Sequence, residues 1–270
     1  MAEQNIPPPL PRSFGRSLAI QIRVIWALML REVLTRYGRH NIGLGWLYVE
    51  PMMFTIGITI LWNGMGLNHG SNLPIMAFAL TGYSTILLWR NMPNRVVMAV
   101  TSNLALMYHR NVRVIDLFAS RLLLEFISVT SSFMFLTVMF CLSGYMDPPE
   151  DIVELVGAWM MTAWFGVSLA LFLGAIGEKS EVVEKLWHPL AYILFPLSGA
   201  AFVADAVPPG TREKLLLIPM VHCTEMIREA FFGSKVVAHY SVSYLLSWNL
   251  ILTILGLSIE RQLSKDVIPE

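Results

Sequence analysis

Residues 155–176, LVGAWMMTAWFGVSLALFLGAI, run without a single charged side chain. A helix of about 20 apolar residues, rising about 1.5 Å per residue, matches the hydrocarbon core of a bilayer, which is about 30 Å thick. Five further stretches of similar character, at 46–65, 73–89, 122–145, 186–203 and 240–259, contain no lysine or arginine and only two acids, Glu50 and Glu125. The sequence therefore predicts an all-α membrane protein with six transmembrane helices.

Composition and charge narrow the class of protein. Of the 270 residues, 55% are hydrophobic and 14% are charged, and the net charge is +0. This balance gives no reason to expect nucleic-acid binding. We expect Cys141 and Cys223 to behave as small buried hydrophobic residues. The N-terminus carries Glu3 and a proline run at 7–9 rather than a basic and then an apolar segment, so we expect no signal peptide.

Positive charges fall in alternate gaps between the apolar stretches. Fifteen of the 19 lysines and arginines lie before the first stretch, between the second and third, between the fourth and fifth, or after the last. In the gap at 146–154, all the charged residues are acidic. Because short loops rich in lysine and arginine stay in the cytoplasm, this pattern predicts that both termini are cytoplasmic.

The stretch from Ser17 to Tyr37 is not expected to cross the membrane, because Arg23 and Arg31 bound its longest apolar run. Apolar residues recur on one side of it at helical spacing, at Leu18, Ile22, Ile25, Met29, Val33 and Tyr37. The pattern predicts an amphipathic helix in the membrane interface, with its apolar face in lipid or against the spans. Such a helix is either an anchor or a lever that touches a cytoplasmic partner.

The connection between the second and third stretches is longer than a simple turn requires. Thr101 or Ser102 is placed to cap a short helix, and a basic, partly apolar surface follows at 109–114. A solvated loop explains the arginines of that surface but not the apolar residues among them. We therefore expect this connection to dock onto a partner.

Residues 205–239 predict a helical hairpin before the last span. The turn Pro208-Pro209-Gly210 precedes two short helical patterns that Pro219 separates and that end at Gly233. These patterns are too apolar for a free loop and too short to span, so we predict a re-entrant hairpin near the outer face. The hairpin is either an outer gate or plain packing. The candidate gate residues are Glu225, Ile227, Arg228 and Phe231.

The sequence carries no pattern of an enzyme active site. Its six histidines have no metal-ligand spacing, so we expect no metal site, no catalytic residue and no directly bound cofactor. A G-x-x-x-x-G-K-[ST] phosphate-binding loop is also absent, so the chain is not expected to hydrolyse ATP by itself. Arg121 and Glu125 have the spacing of an ion pair along one helix, and we predict that they pair.

The segment at 31–52, REVLTRYGRHNIGLGWLYVEPM, carries a resemblance to a known family. Its Arg36-Tyr37-Gly38, Trp46 and Glu50-Pro51 pattern resembles that of ABC-2 type permeases that export polysaccharides, above all the capsule-polysaccharide branch. The resemblance covers nearly the whole chain. It implies one domain over 1–270, made of a cytoplasmic segment with the interfacial helix (1–45), a six-helix transmembrane region (46–259) and a cytoplasmic tail (260–270).

The resemblance also implies partners. A permease of this kind lies in the bacterial inner membrane with a second copy of itself and two copies of a cytoplasmic ABC ATPase, which uses ATP and Mg. It works with periplasmic and outer-membrane polysaccharide export proteins, and its substrate is a lipid-linked capsular polysaccharide. In the family the connection between spans two and three docks into the ATPase. Here that connection supplies Ser102, Asn103, Leu106, Met107, Arg110 and Arg113.

A path for a long sugar polymer needs walls along which sugars can slide. Aromatic rings offer flat apolar contact to sugar faces, and arginines at the mouth bind phosphate or carboxylate. For Trp46, Trp89 and Trp187 an aromatic belt at the membrane interface is the alternative. The candidate path residues are Trp46, Tyr48, Glu50, Trp62, Tyr83, Trp89, Arg90, Arg95, Trp159, Trp164 and Trp187.

Other functions fit the same topology. Export of O-antigen or teichoic acid is one alternative, and export of drugs or haem is another. A non-transporting membrane scaffold or a flippase-like enzyme is an alternative of a different class.

Overall fold

The computed structural model describes residues 14–37, 43–66, 73–107 and 112–267. Every regular element in these ranges is helical, which confirms the all-α prediction. The α-helices are α1 (Phe14–Tyr37), α2 (Gly43–Met65), α3 (Ile75–Val96), α4 (Leu104–Met107), α5 (Val114–Leu142), α6 (Ile152–Gly177), α7 (Glu181–Leu197), α8 (Pro209–Leu215), α9 (Pro219–Phe232) and α10 (Val242–Val267).

A helix covers each of the six apolar stretches, but the helices differ in their fitness to cross a bilayer. Three of them, α5, α6 and α10, are long and apolar enough by length and composition. The others carry interruptions: α2 contains Glu50 and Pro51, and α3 contains Pro93 and Arg95 near its end. Helix α7 has 17 residues, fewer than the roughly 20 that a span needs. The count of six spans stays a prediction.

The fifth apolar stretch divides into a helix and a turn. The stretch was expected to run to Val203, whereas α7 ends at Leu197. Gly199 then adopts a φ of +82°, in the left-handed region that ends helices and that glycine enters without steric penalty. Residues 198–202 form turns instead of a last helical turn. This turn becomes a docking place for α9.

Two ends of the helical bundle can be told apart by charge. At the basic end, α3 finishes and α5 begins, close to Arg95 and Arg121. At the acidic end, α5 finishes and α6 begins, and the connection there carries Asp147 and Asp151. These two names are used below.

Helix α6 lies at the centre of the bundle because glycines let its neighbours approach. A Cβ added at Gly174 of α6 would lie 2.4 Å from Val96 Cγ1 of α3. One added at Gly166 would lie 3.0 Å from the carbonyl oxygen of Leu88, also on α3. On the far side, a Cβ at Gly256 of α10 would lie 2.8 Å from the backbone nitrogen of Phe172. Small residues of this kind give membrane helices their dispersion contacts, since lipid offers no hydrophobic driving force between helices.

Helix α1 packs against α5 and α2 instead of standing apart from them. Met29 and Val33 are buried against Leu124 of α5. Gln21 donates a hydrogen bond to Asp116. The apolar face expected for this helix therefore divides, because its second half meets protein. Leu18 and Ile22 of the expected face are exposed instead. They belong to a row of exposed apolar side chains at Phe14, Leu18, Ile22, Trp26, Leu30 and Leu34.

Of the two helical patterns expected before α10, the second is present as α9. The first is not a helix, because α8 is a polar helix that ends at Leu215 and the apolar residues 216–218 form a turn. Pro219 is the first residue of α9, and Gly233 ends the helix with a φ of +53°. Helix α9 packs on α6, α3 and α10, and most of its side chains are buried in the chain. The depth of this hairpin relative to a membrane stays a prediction.

The close approach of α3 and α6 predicts that Gly174→Ala destabilises the protein. The new Cβ meets Val96, a short β-branched side chain without room to turn away, so we expect a loss of about 1–3 kcal/mol, as overpacked cores show. Thermal unfolding in lipid nanodiscs measures it.

Gly157→Ala in the same helix is the matched control, because no atom lies within 4 Å of a Cβ there. Adding Val96→Ala to Gly174→Ala should restore part of the loss. Equal unfolding midpoints for Gly174→Ala and Gly157→Ala would contradict this account of the packing.

Candidate functional site

A polar cavity of about 210 Å³ opens near the basic end, between α2, α3, α5 and α7. Helix α3 supplies much of its wall, and α7 supplies the facing side. Charged groups of both signs share this wall with amide, hydroxyl and aromatic side chains. The lining residues are Glu50, Pro51, Phe54, Leu87, Arg90, Asn91, Asn94, Arg95, Glu125, Ser128, His188, Ala191 and Tyr192.

One wall of the polar cavity, formed by Glu50, Arg95 and Glu125, belongs to an ion network. The other members of this ion network are Glu32, Arg36 and Arg121. Arg95 Nε lies 2.9 Å from Glu125 Oε2, and its NH2 lies 3.3 Å from Glu50 Oε1. Asn91 donates a further hydrogen bond to Glu125 at 2.9 Å. The Glu125 side chain is only 5% exposed, so these partners offset the cost of removing its charge from water.

Helix α1 joins the same network from outside the cavity. Glu32 lies 2.7 Å from Arg36 on its own helix and 3.5 Å from Arg121 Nε on α5. Arg36 reaches Glu125 at 4.0 Å, and Arg121 donates to the backbone carbonyl of Arg95 at 2.8 Å. The network therefore fastens α1, α2, α3 and α5 together at the basic end.

The predicted pair of Arg121 with Glu125 is wrong. Glu125 pairs with Arg95 on α3, and Arg121 pairs with Glu32 on α1. The spacing along a helix contributes only about 0.2–0.5 kcal/mol on a solvated surface. Both side chains face other helices, whose opposite charges compensate their burial and so decide the pairing.

Arg90 differs from Arg95, although the sequence grouped them. The Arg90 guanidinium lies 5.6 Å above the ring of Tyr192. Among the described residues it has no carboxylate within ion-pair distance, whereas Arg95 has two. Arg90 is therefore the arginine of the polar cavity whose charge is still available to a ligand.

Most aromatic residues expected along the substrate path are packed inside the chain. Trp187 donates to Asn94 at 2.7 Å, and Trp159 stacks on Phe133 with ring centroids 4.5 Å apart. A side chain with almost no exposed surface cannot touch a polymer outside it, so these residues support the fold in this conformation. The buried members are Trp62, Tyr83, Trp89, Trp159 and Trp187.

The remaining aromatic candidates lie in two places. Trp46 and Tyr48 are exposed on α2. Trp164 donates to Thr253 at 3.1 Å and borders an apolar groove between α5 and α6. Sequence reasoning missed Tyr192, which lines the polar cavity although its side chain is 70% exposed, because nothing in the apolar run of α7 reveals which of its faces borders the cavity.

The connecting segment is defined as residues 98–107. It starts with a turn at 98–100, continues as a 3₁₀ helix at Thr101–Asn103 and ends as α4. Ser102 is exposed, and Asn103 accepts a hydrogen bond from Arg31 at 3.1 Å. Leu106 packs against the core, in which Met107 is buried. Leu104 is 49% exposed and was absent from the expected set.

Two expected coupling residues stand apart from this segment. Arg113 is exposed at the start of α5. Arg110 lies outside the described residues. The predicted side-chain cap by Thr101 or Ser102 is wrong, because no side-chain cap bond forms there and Ser102 donates to the carbonyl oxygen of Met98 instead.

The candidate gate residues on α9 are buried inside the chain. Arg228 donates to the backbone carbonyls of Gly199 at 2.6 Å, Ala200 at 2.7 Å and Phe202, and its guanidinium lies 3.8 Å above the ring of Phe78. These bonds fix α9 to the turn that follows α7.

Glu225, one of the two acids of this helix, has a similar role. Glu225 accepts hydrogen bonds from the amides of Ala204 at 3.1 Å and His239 at 3.0 Å. Ile227 and Phe231 are buried beside it. All four candidate gate residues thus hold α9 against its neighbours, and none faces water in this conformation.

A surface cluster joins the short 3₁₀ helix at Ala204–Ala206 to the segment before α10. Asp205 lies 2.9 Å from His239 Nε2 and 3.2 Å from Arg212. The hydrogen bond with His239, aided by the charges of His239 and Arg212, holds the pKa of Asp205 below its usual range. The cluster links α8 to the segment before α10.

Comparison with known proteins identifies relatives along nearly the full length. Residues 23–232 match the ABC-2 type transporter family. The chain is 41% identical over 258 residues to the capsule polysaccharide export inner-membrane protein CtrC of Neisseria meningitidis serogroup B, covering 96% of this chain and 97% of that protein. Its identity to BexB of Haemophilus influenzae, which has the same descriptive name, is 39% with the same coverage. It is 24% identical to the polysialic acid transport protein KpsM of Escherichia coli, over 90% and 94% of the two chains.

The ion network predicts a large effect of Glu125→Gln. The change removes the carboxylate that Arg95 and Arg36 share, but each arginine keeps a second one, Glu50 or Glu32. Because breaking a fully buried pair costs about 3–5 kcal/mol, we expect a loss of at most about 3 kcal/mol. Thermal unfolding in nanodiscs should show it.

Glu181→Gln is the matched control. Glu181 and Lys185 form an ion pair of 3.1 Å whose side chains are 73% and 72% exposed, and such pairs contribute about 0–1 kcal/mol. If both variants unfolded at the wild-type temperature, the network would not hold the basic end together.

Proposed function

The chain belongs to the ABC-2 type transporter family, and from that premise we propose that it is the membrane permease subunit of an exporter of capsular polysaccharide. The observation that carries the proposal is an identity of 41% over 96% of the chain to a capsule polysaccharide export inner-membrane protein. BexB supports the same substrate class at 39% identity. The polymer crosses the bacterial inner membrane attached to a lipid.

The permease works with a separate ATPase. Two copies of this chain pair with two copies of a cytoplasmic ABC ATPase, which binds ATP and Mg²⁺. The missing phosphate-binding loop supports this division of labour. Periplasmic and outer-membrane export proteins receive the polymer beyond the membrane.

The proposed topology has six spans, a re-entrant α8–α9 hairpin and both termini in the cytoplasm. The three strongly apolar helices support a membrane location. The distribution of lysine and arginine supports a cytoplasmic position for the basic end. The acidic end then faces the periplasm, and α9 stands near the exit as an outer gate.

The polar cavity is the cytoplasmic mouth of the substrate path. A polymer that carries carboxylate or phosphate groups is recognised there by Arg90, because guanidinium groups match these anions in shape and charge. The Tyr192 ring beneath Arg90 offers a flat surface to a sugar. Arg95 has a different task, since Glu50 and Glu125 already neutralise it.

The connecting segment, with Leu104 at its exposed surface, docks into the ATPase. Asn103 and Ser102 lie beside Leu104, and Met107 supports the segment from the core. Docking through Leu104 fits a partner groove that accepts an apolar side chain.

Purification with the partner ATPase tests the function. The complex in nanodiscs should retain a lipid-linked acidic glycan, and cells lacking the permease should lose that glycan from their surface. An unchanged surface glycan, with no ATPase bound to the purified permease, would contradict the proposal. A glycan identified as O-antigen or teichoic acid would reassign the substrate.

The free charge of Arg90 predicts that Arg90→Gln lowers export at least five-fold, whereas Arg90→Lys retains more export, because a lysine keeps the charge but loses the paired hydrogen bonds. Quantitative surface-glycan assays measure this. Arg261→Gln, at an exposed position of α10, is the control and should export normally. Equal export by the Gln and Lys variants would assign Arg90 no part in recognition.

The exposed position of Leu104 predicts that Leu104→Asp weakens ATPase binding and export without unfolding the permease. Met107→Asp should instead unfold it, since it places a charge in the core. Co-purification of the ATPase and thermal unfolding separate the two effects. Leu217→Asp, at a leucine 69% exposed between α8 and α9, serves as the control. Normal ATPase binding by Leu104→Asp would remove this residue from the docking surface.

A further inference from the structure

The carboxylate of Glu178 holds the start of the connecting segment. It accepts hydrogen bonds from the amide of Val100 at 2.6 Å, the amide of Thr101 at 3.1 Å and the Thr101 hydroxyl at 2.8 Å. Glu178 directly follows Gly177, the last residue of α6. One side chain thus joins two connections that lie far apart in the sequence.

The first amides of a helical turn have no partner within it, and a negative charge nearby stabilises them. Proteins usually meet this need locally, as Asp151 does for α6 by accepting from the amide of Glu154 at 2.8 Å. The connecting segment has no such local cap. The use of a distant residue adds something that a local cap does not provide, namely a mechanical tie between the segment and the end of α6.

The backbone beside this tie is strained. Met98 has a φ of +58°. A residue other than glycine keeps this backbone angle only when the surrounding structure enforces it. Val97 presses on α6, where a Cβ added at Gly177 would lie 3.0 Å from Val97 Cγ1. The segment is therefore held in one position rather than resting loosely on the bundle.

The tie leads directly to the polar cavity. Helix α7 begins at Glu181, three residues after Glu178, and carries His188 and Tyr192 into the cavity wall. On its other side the segment contacts α1, because the Arg31 guanidinium donates a hydrogen bond of 3.1 Å to Asn103 Oδ1. The segment thus stands between α1 and the junction of α6 with α7.

We infer that Glu178 is a positioning residue for transport, which transmits movement of the connecting segment to α7 and so to the wall of the polar cavity. The inference rests on the proposed function, since it assumes that an ATPase moves the segment. Without the Glu178 carboxylate, the ATPase still docks and hydrolyses ATP, but the segment moves without taking α7 with it.

Glu178→Ala in the full complex tests the inference, together with Glu181→Ala as the control three residues further on. We expect Glu178→Ala to lower export at least five-fold while ATPase binding and ATP hydrolysis stay within two-fold of wild type. Hydrogen exchange should be at least ten-fold faster for the amides of Val100 and Thr101 and unchanged inside α3 and α6. Glu181→Ala should match the wild type in each measurement.

Normal export by Glu178→Ala beside faster amide exchange would make Glu178 a structural cap and overturn the inference. Unchanged exchange would overturn the tie itself. If Glu178→Ala does not accumulate, Thr101→Val removes one of the three bonds, and a normal ratio of export to hydrolysis in that variant overturns the inference too. A wild-type complex that neither binds the ATPase nor exports glycan rejects the proposed function instead.

Discussion

The near contact between the backbones of α3 and α6 is the constraint on which the rest of the structure depends. Gly166 and Gly174 leave no room for even a methyl group between the two helices. The short distance between α3 and α6 places the other helices. Helix α10 packs on the opposite side of α6, and α9 packs on both α6 and α3. The remaining face of α3 then meets α2 and α5 and carries Arg95 to Glu125. Charge pairing, cavity and hairpin docking all take their positions from one close helix pair.

The sequence predicted the helices well because their signals are local. Apolar length marked six of the long helices, an amphipathic pattern marked α1, and Pro219 with Gly233 marked the limits of α9. It could not predict the charge pairs, since the partners of Glu125 depend on how α3 and α1 are rotated about their axes. The same limit explains the tryptophans: Trp89 and Trp46 both lie near the end of an apolar stretch, yet the packing of the helices buries Trp89 and leaves Trp46 exposed.

Within the described part of the chain, the polar cavity combines a neutralised wall with one arginine, Arg90, that has no carboxylate partner. The ion network contains three acids and three bases. Its charges therefore cancel, and it holds the helices together without creating a strong electrostatic potential in the cavity. Arg90 adds a single positive charge beside an aromatic ring. Under the proposed function, such a site would suit a polymer that must pass many units, because one weak contact would bind each acidic group and then release it. A row of free arginines would hold the chain in place.

The complete burial of Arg228 bears on the order in which the chain folds during its synthesis. Burying a guanidinium completely, as at Arg228, costs free energy at any depth of α9 in the bilayer. At the centre of a membrane the low estimates of this free energy are about 2.5–3.5 kcal/mol. Its acceptors are the carbonyls at 199–202, which leave the ribosome before α9 does. The receiving turn can thus be in place when the arginine arrives, and the order of synthesis matches the order of docking. A chain in which the turn formed late would expose an unpaired charge during insertion, and quality-control proteases act on such intermediates.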